Sequence, residues 1–401
     1  MTLRLTLLFA LIAHVLFGQK DIKNYVLDNT SPITSFDFDQ EDYSDLEAIK
    51  NSIGDAKVVM LGEQDHGDAN TFKMKSRLVK YLHEELGFNI IAFESNFYGM
   101  QKNFEEDPQN FEAAKDKIFQ IWTKCEECQS TFNYIKDTYS SDQPLYMTGV
   151  DVRRYDAHPK GVYSEDFDRF LSDNSIEIED KKRFIDILDE LYKNEYDSKA
   201  TEEDRSFFFT TLKSIDQQYS KDDFMKQELQ NLNGYAENSW LINFKKEFSK
   251  NSTYTYRDVQ MANNLIWLSQ KRFPNEKIIV WAASMHTAKS HLKHHSSLGL
   301  MTYKTLGNEM YTLGFTCYKG QAGRIKSEPY NIRKPAKNSF EQWLSDSKYT
   351  LSFTDFTEYK GKAKYFSMKG LVNTPYRMRW TEVYDGVIYI EEQLPCTALV
   401  K

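Results

Sequence analysis

Six short apolar runs restrict the folds open to this chain more than any other feature of its sequence. Each run is rich in β-branched or aromatic residues and has the length of one buried strand. The runs are Val58–Gly62, Asn89–Phe93, Leu145–Val150, Ile278–Ala282, Tyr311–Tyr318 and Gly386–Glu391. Amphipathic stretches long enough for a parallel crossover helix separate the first three. We therefore predict an α/β fold with a central, largely parallel sheet and flanking helices.

The first crossover shows the helical pattern most clearly. Asp68 suits a helix N-cap, and Gly87 suits a helix stop. Between them the apolar residues recur at helical spacing, at Phe72, Val79, Leu82 and Leu86. Lys75 falls within this apolar stripe, so its side chain either extends to solvent or points a cation into a cleft.

Residues 164–268 differ in character from the rest of the chain. They contain no strand-like run, and apolar residues recur at helical spacing, as at Phe184, Ile187, Leu188 and Leu191. We predict a helical insertion over residues 164–268, between the third and fourth strands, that caps the cleft. The α/β core then falls into two parts, residues 20–163 and 269–401.

The amino terminus resembles a secretory leader. Arg4 precedes an apolar run, Leu7–Phe17, that is too short to span a bilayer, and Gly18 and Gln19 follow it. We predict a signal peptide over residues 1–19 and a secreted or periplasmic protein with no membrane segment after cleavage. The alternative is a buried amino-terminal helix.

Several function classes are excluded by charge and by missing motifs. The chain has 51 Lys and Arg against 59 Asp and Glu, a net charge of −8, so no basic surplus is available to bind nucleic acid. The sequence has no Gly-x-Ser-x-Gly elbow and no Gly-x-x-x-x-Gly-Lys-Ser/Thr loop, and no Gly-x-Gly-x-x-Gly follows the first predicted strand. These absences argue against an α/β-hydrolase, a P-loop NTPase and a dinucleotide enzyme.

Ionisable side chains follow four of the six predicted strands. Glu63 and His66 come after the first strand, Glu94 after the second, Asp151 after the third and His286 after the fourth. Singly, such residues are most often caps or solvated groups. Ligands of open parallel sheets bind outside the carboxyl ends of the strands. The sequence therefore predicts that these side chains share one cleft.

Glu63 and His66 have the spacing of an acid that orients an imidazole. A carboxylate raises the pKa of an imidazole and fixes its tautomer, which suits a general base that takes a proton from water. His66 and His286 could instead share a metal, but neither lies in a His-Glu-x-x-His helix. We predict catalysis without a metal or another cofactor.

The four cysteines are Cys125, Cys128, Cys317 and Cys396, an even number that suits an oxidising compartment. The Cys125-x-x-Cys128 pair lies in a stretch, residues 115–139, that is predicted to be helical. It has no second Cys-x-x-Cys and no nearby His pair to complete a zinc site. A local disulfide or two inert thiols is the favoured interpretation.

Ordered blocks of sequence resemble the erythromycin esterase family. The likeness runs from about residue 35 to the end of the chain. The blocks that carry it are Val59–Gly67, Lys75, Ile91–Glu94, Trp122 with Glu127, Gly149–Asp151, Arg257–Asp258, Val280–Ala282 with His286, Gly307–Gly320 and Asp385–Pro395. The resemblance implies an α/β fold with an inserted helical part and a deep cleft.

The resemblance also implies an activity. Characterised members of the family cleave the lactone ester of macrolide antibiotics, with a His as general base on water and no covalent serine intermediate. By position, His66 would be that base, and Glu63 and Glu94 would orient it and the water. Lys75 would sit where the family has a basic residue, and His286 would match the second His of a Trp-Ala-His-Asn-x-His stretch. We expect Lys75, Asp151 and Arg257 to contact the substrate.

At one point the chain departs from this pattern. Ala283 stands where the family stretch has its first His, and Ser284 stands where it has Asn. We expect an exported esterase-like hydrolase of a small ester or lactone, with a role in antibiotic resistance if macrolides are substrates. The alternatives are a non-catalytic protein that uses the same cleft to bind haem or a metal, and a purely structural or interaction protein.

Overall fold

The computed structural model describes residues 21–153, 162–193, 199–243, 255–289, 291–292, 295–362 and 364–399. The predicted signal peptide lies outside the described residues. In the described part of the chain, no helix combines the length and the apolar character that crossing a membrane requires.

A nine-stranded sheet forms the centre of the molecule, with the order β1-β10-β13-β8-β2-β5-β3-β4 and with β9 paired to β8. The strands are β1 (Thr30–Pro32), β2 (Val58–Leu61), β3 (Phe88–Asn96), β4 (Tyr146–Asp151), β5 (Lys277–Trp281), β6 (His291–Leu292), β7 (His295–Ser296), β8 (Met310–Ala322), β9 (Tyr330–Asn331), β10 (Leu351–Asp355), β11 (Phe366–Met368), β12 (Tyr376–Met378) and β13 (Gly386–Gln393). The six predicted strands are β2, β3, β4, β5, β8 and β13, and all of them pair in parallel. Strands β1, β9 and β10 are antiparallel additions.

Helices cover both faces of the sheet, as predicted. They are α1 (Glu47–Ile53), α2 (Ala69–Leu86), α3 (Phe97–Glu106), α4 (Phe111–Lys115), α5 (Gln120–Thr123), α6 (Gln129–Thr138), α7 (Val162–Asp173), α8 (Lys181–Lys193), α9 (Glu202–Gln218), α10 (Phe224–Asn243), α11 (Thr255–Trp267), α12 (Ser284–Thr287), α13 (Leu298–Leu306) and α14 (Phe340–Asp346). The stretch 115–139, predicted as one helical unit, is broken into short pieces, and a 3-10 turn covers Glu126–Cys128.

The parallel strands are predominantly apolar because most of their length is buried on both faces. In β2, Val59 and Leu61 pack into a core with α2, whereas Val58 and Met60 pack into a core on the opposite face. The other parallel strands alternate in the same way. This double burial explains why predominantly apolar runs marked these strands in the sequence.

The predicted helical insertion contains five helices in the described residues. Helices α7 to α10 share their own core, which includes Phe167, Phe184, Phe208 and Trp240. Helix α11 instead packs on the sheet through Met261 and Leu265, among others. The residue boundaries at 163/164 and 268/269 stay predictions.

The first crossover has the predicted form, with one difference in its cap. Helix α2 begins after Asp68 and ends at Gly87, which has a left-handed backbone with φ 70°. The Asp68 carboxylate does not cap the helix. It accepts hydrogen bonds from the Asp65 backbone N–H at 2.8 Å and from Asn373 Nδ2 at 2.9 Å. Asp68 therefore ties the loop after β2 to the carboxyl-terminal part of the chain.

Candidate active site

The four strand ends that carry ionisable residues are neighbours in space. Strands β2, β5, β3 and β4 lie side by side in that order, so their parallel carboxyl ends open on one crevice. A cavity of ≈ 490 Å³ lies there. Its lining includes His66, Glu94, Arg257, Ala283 and His286, together with Phe119, Arg153, Arg324 and Tyr376.

His66 is held by one carboxylate and leaves one ring nitrogen available. Its Nδ1 lies 3.0 Å from Glu63 Oε1, and its side chain is 13% exposed. Within the described residues its Nε2 makes no hydrogen bond. An Nδ1–H donated to Glu63 fixes the tautomer in which Nε2 carries the lone pair. The arrangement therefore leaves Nε2 able to accept a proton from water.

Two aromatic rings fix the plane of this imidazole. The rings of Trp122 and Phe119 meet His66 edge to face, with centroids 5.4 Å and 6.1 Å away. Both residues come from the chain around α5, which follows β3. Sequence reasoning did not identify this wall as part of the site.

Lys75 is the buried ion-pair partner of Glu63 and does not line the cavity. It is fully buried, and its Nζ forms an ion pair with Glu63 Oε2 and lies 4.2 Å from the centroid of the Trp281 ring. Burial lowers the pKa of Lys75, and the charge of Glu63 opposes that effect. The prediction that Lys75 contacts substrate is therefore not supported. The Lys75 side chain extends neither to solvent nor into the cleft but to Glu63. Its positive charge offsets the cost of burying the Glu63 carboxylate.

The second histidine lies in a larger charged group, the His286 cluster, formed by Glu94, Asp151, Arg257, Asp258 and His286. Its Nδ1 lies 2.7 Å from Asp258 Oδ1, and its Nε2 lies 3.2 Å from Glu94 Oε1. Asp258 follows Arg257 on α11 and was quoted in the sequence without a role. Both ring nitrogens of His286 are therefore engaged.

Arg257 is the centre of the same cluster. It binds Asp151 through two hydrogen bonds, from Nε at 2.9 Å and from Nη2 at 2.5 Å, and Nη2 also reaches Glu94 Oε1 at 2.7 Å. Asp151 is fully buried and does not line the cavity. It holds Arg257 in place, so its predicted contact with substrate is not supported.

Glu94 belongs to the His286 cluster and makes no hydrogen bond to His66. Its Oε2 accepts from the Ala283 backbone N–H at 3.0 Å. The register of β3 against β4 passes from Phe93↔Gly149 to Asn96↔Asp151, so β3 has one extra residue there. Such bulges change the direction of a side chain. The expectation that Glu94 orients His66 is therefore wrong, because the histidine beside Glu94 is His286. Glu94 does line the cavity.

Charges in the His286 cluster keep its histidine protonated. Burial alone would lower the pKa of His286, but Asp258 and Glu94 raise it to about 10. Burial alone would raise the pKa of Glu94, but His286 and Arg257 hold it well below its usual value. The two carboxylates therefore favour the imidazolium form of His286, against the opposing charge of Arg257, whose Nη1 lies 3.2 Å from His286 Nε2. Because both ring nitrogens of His286 already face carboxylates, it can contribute positive charge to the cavity but is not placed to serve as a base.

The departure from the family pattern lies on the cavity wall. Ala283 lines the cavity next to His286. Ser284 is buried, and its Oγ would lie 2.7 Å from a Cβ placed on Gly62, which explains the glycine at the end of β2. An imidazole at position 283 would therefore lie on the wall of the cavity and not beneath that wall.

No metal-binding group of three ligands involves His66 or His286 within the described residues. The one such group found there combines Cys125, Glu127 and Cys396, away from the cavity. All four cysteines are free thiols, which does not agree with a local Cys125–Cys128 disulfide.

Fold and cleft together define an α/β protein with a histidine and carboxylate site at the carboxyl end of a mostly parallel sheet. The erythromycin esterase family model matches residues 83–393, and the chain belongs to this family. The resemblance found in the sequence is thereby confirmed.

Relatives and solved structures agree with this assignment. The chain is 26% identical to "Putative hydrolase YbfO" of Bacillus subtilis (strain 168), over 88% of this chain and 87% of that protein. It is 21% identical to erythromycin esterase type II of Escherichia coli, over 88% of this chain and 93% of that protein.

Two solved structures show a similar fold. A protein described as a succinoglycan biosynthesis protein has a TM-score of 0.76 and 19% identity, covering 94% of this chain and 98% of its own. A mutant of the erythromycin esterase EreC in its open conformation has a TM-score of 0.69 and 17% identity, covering 91% and 98%.

Proposed function

We propose that this chain is a hydrolase that cleaves an ester or lactone bond of a small molecule, with His66 as general base. The observation that supports this most is the contact between Glu63 and His66, which leaves Nε2 available on the cavity side of a fixed imidazole. Membership of the erythromycin esterase family supports the same reaction class.

The proposed reaction proceeds in two proton transfers. His66 Nε2 takes a proton from water as the water oxygen attacks the carbonyl carbon, and Glu63 stabilises the imidazolium that forms. Arg257 and His286 line the same cavity as cations. We propose that they stabilise the negative charge that develops on the carbonyl oxygen. The imidazolium then returns its proton to the alcohol oxygen as the C–O bond breaks.

The cavity favours a small polar substrate over haem. Its volume of ≈ 490 Å³ lies within the usual range for small-molecule sites. The lining includes ionisable side chains from His66, Glu94, Arg153, Arg257 and Arg324. Haem is bound most often in a roomy apolar pocket with one axial ligand.

The decisive experiment is a panel of aryl esters, aliphatic esters and lactones, with erythromycin included, assayed with wild type and His66→Ala. We expect at least one ester to be hydrolysed by the wild type and not by the variant. If no compound is turned over above the rate of His66→Ala, and added haem gives a Soret band, the binding alternative replaces this proposal.

We also propose that the protein is exported. The proposal is based on the leader-like pattern at Leu7–Phe17 and the small and polar residues after it. The amino-terminal sequence of the protein recovered from the periplasm or medium tests it. A chain that starts near Gly18 or Gln19 supports export, and an intact Met1 contradicts cleavage.

A further inference from the structure

Three thiols and a carboxylate meet at a point that the proposed reaction does not use. We call this group the tail thiol cluster; its members are Cys125, Glu127, Cys128 and Cys396. The ligand atoms of Cys125, Glu127 and Cys396 lie within 4.8 Å of one another. The Cys125 thiol donates a hydrogen bond to Glu127 Oε2 at 3.1 Å, and the Cys128 backbone N–H donates to the Cys125 carbonyl at 3.2 Å.

The backbone holds these groups together without any ligand. Cys125 forms an isolated antiparallel bridge with Ala398. The Glu126 N–H donates to the Thr397 carbonyl at 2.9 Å, and the Thr397 N–H donates to Glu127 Oε2 at 3.0 Å. The carboxyl-terminal segment is thus fixed against the loop after α5, and Cys396 is carried to the Cys-x-x-Cys pair.

We propose that the tail thiol cluster binds one Zn²⁺ ion through Cys125, Cys128, Cys396 and Glu127. Thiolates and carboxylates are both ordinary zinc ligands, and a tetrahedral site at Zn–S ≈ 2.3 Å places its sulfurs about 3.8 Å apart. Three of the four donor atoms already lie within 4.8 Å of each other, and Cys128 ends the short turn that follows Cys125. Coordination requires the four donor atoms to move closer together, to the spacing of a tetrahedral site.

Burial and access both fit a structural ion. Cys125 and Cys128 are buried, while Glu127 and Cys396 are half-buried. A surface cleft of ≈ 450 Å³ is lined in part by Glu127, so this ligand lies at the surface side of the cluster. Four protein ligands leave no position for water, so the ion would be structural rather than catalytic.

The site would link the end of the chain to the wall of the active site. Cys125 lies just after α5, and its backbone N–H donates to the carbonyl of Trp122, whose ring packs against His66 at a centroid distance of 5.4 Å. A zinc ion would therefore stabilise both the carboxyl-terminal segment and the loop after α5. The inference does not depend on the proposed hydrolysis.

The test uses the full chain, purified under reducing conditions and stripped with a chelator. We expect it to take up one Zn²⁺ per chain by elemental analysis. With Co²⁺ in place of zinc we expect the thiolate-to-cobalt charge-transfer band and the strong visible bands of a tetrahedral site. The double variant Cys125→Ser/Cys396→Ser should lose both. The matched control, Cys317→Ala, removes a buried cysteine outside the cluster and should keep both.

A second measurement needs no variant. Zinc should protect Cys125, Cys128 and Cys396 of the wild type from alkylation, with Cys317 as the internal reference in the peptide masses. Substoichiometric metal, a cobalt spectrum that persists in the double variant, or unchanged alkylation would overturn the proposal. A disulfide among the cluster cysteines that forms in preference to zinc binding under reducing conditions would also overturn it.

Discussion

The two histidines at the carboxyl end of the sheet have opposite environments. His66 has one carboxylate partner and an available Nε2, whereas His286 has a carboxylate on each ring nitrogen. His66 is partly exposed to the cavity, and His286 is nearly fully enclosed by the strands and by α11. Of these two residues, His66 is therefore the one that our proposal uses for proton transfer, and His286 the one that supplies charge.

The difference originates in the number of anions around each ring. Glu63 divides its two oxygens between His66 and Lys75, so its charge is shared with a cation. Around His286, the three carboxylates of the cluster face two cations, and the excess negative charge keeps the imidazole protonated. Counting charges around a histidine thus separates a candidate base from a structural cation.

Removing the candidate base should have the largest effect. His66→Gln should lower kcat by about 10²–10⁴-fold, the usual contribution of a general base. The control is His83→Gln, because His83 is a buried histidine outside the cavity whose Nδ1 lies 2.6 Å from Tyr134 Oη. Steady-state kinetics on the best substrate of the ester panel measure both. More than about a tenth of wild-type turnover in His66→Gln would remove His66 from the mechanism.

Replacing the second histidine should affect stability first. His286→Gln leaves Asp258 and Glu94 buried with less positive charge, and breaking such a group costs about 3–5 kcal/mol. The pKa of His286 is raised from 6.5 to about 10 in the folded state. Its stabilising contribution is therefore complete below pH 6.5 and is lost as the pH rises through about 10.

Urea unfolding at several pH values tests this prediction. The difference in unfolding free energy between wild type and His286→Gln should be greatest at about pH 6 and should shrink towards about pH 10. An equal difference at all pH values would show that His286 is not a buried imidazolium.

The sequence predicted the parallel core well because local pattern determines it. Strands β2, β3, β4, β5, β8 and β13 are largely buried on both faces, and each leaves a predominantly apolar run. The antiparallel strands β1, β9 and β10 were not predicted. Strands β1 and β9 have three and two residues, too few for a periodic pattern, and β10 has five.

The site was predicted as far as topology alone can place residues. Parallel strands put His66, Glu94 and His286 around one cavity, and the structure brings them together. Which side chains pair within the site depends on how deeply each one is buried and in which direction it points. Strand order alone does not determine either. Lys75 could be assigned to a helix face but not to Glu63, and Cys396 is too distant in sequence from Cys125 for any local motif to join them.

The role of the Glu63–Lys75 ion pair next to His66 can be tested by changing both of its partners. Glu63→Gln should lower kcat by roughly 10–100-fold, because the amide still accepts from Nδ1–H but no longer stabilises the imidazolium. It should also destabilise the fold by leaving Lys75 buried without its anion. The double variant Glu63→Gln/Lys75→Met should regain stability but not turnover. Recovery of turnover in the double variant would contradict the assigned role of Glu63.

The smallest expected effect concerns Ala283 on the wall of the cavity. Ala283 lines the cavity beside His286, so an imidazole there could donate to a substrate oxygen. Loss of one oxyanion-hole donor typically costs about 10²–10³ in kcat. Because an introduced side chain regains only part of such a contribution, we expect Ala283→His to raise kcat/KM for erythromycin by about tenfold.

The wild type itself should be a poor macrolide esterase. A smaller natural substrate, bound through Arg257 and His286, would not require a donor at position 283. Measurement of kcat/KM for erythromycin and for the best small ester with both proteins decides the matter, and Ala288→His, at a fully buried position outside the cavity lining, controls for added bulk. Rapid erythromycin hydrolysis by the wild type would show that this chain does not need the imidazole, since its two remaining histidines would then suffice for the whole reaction.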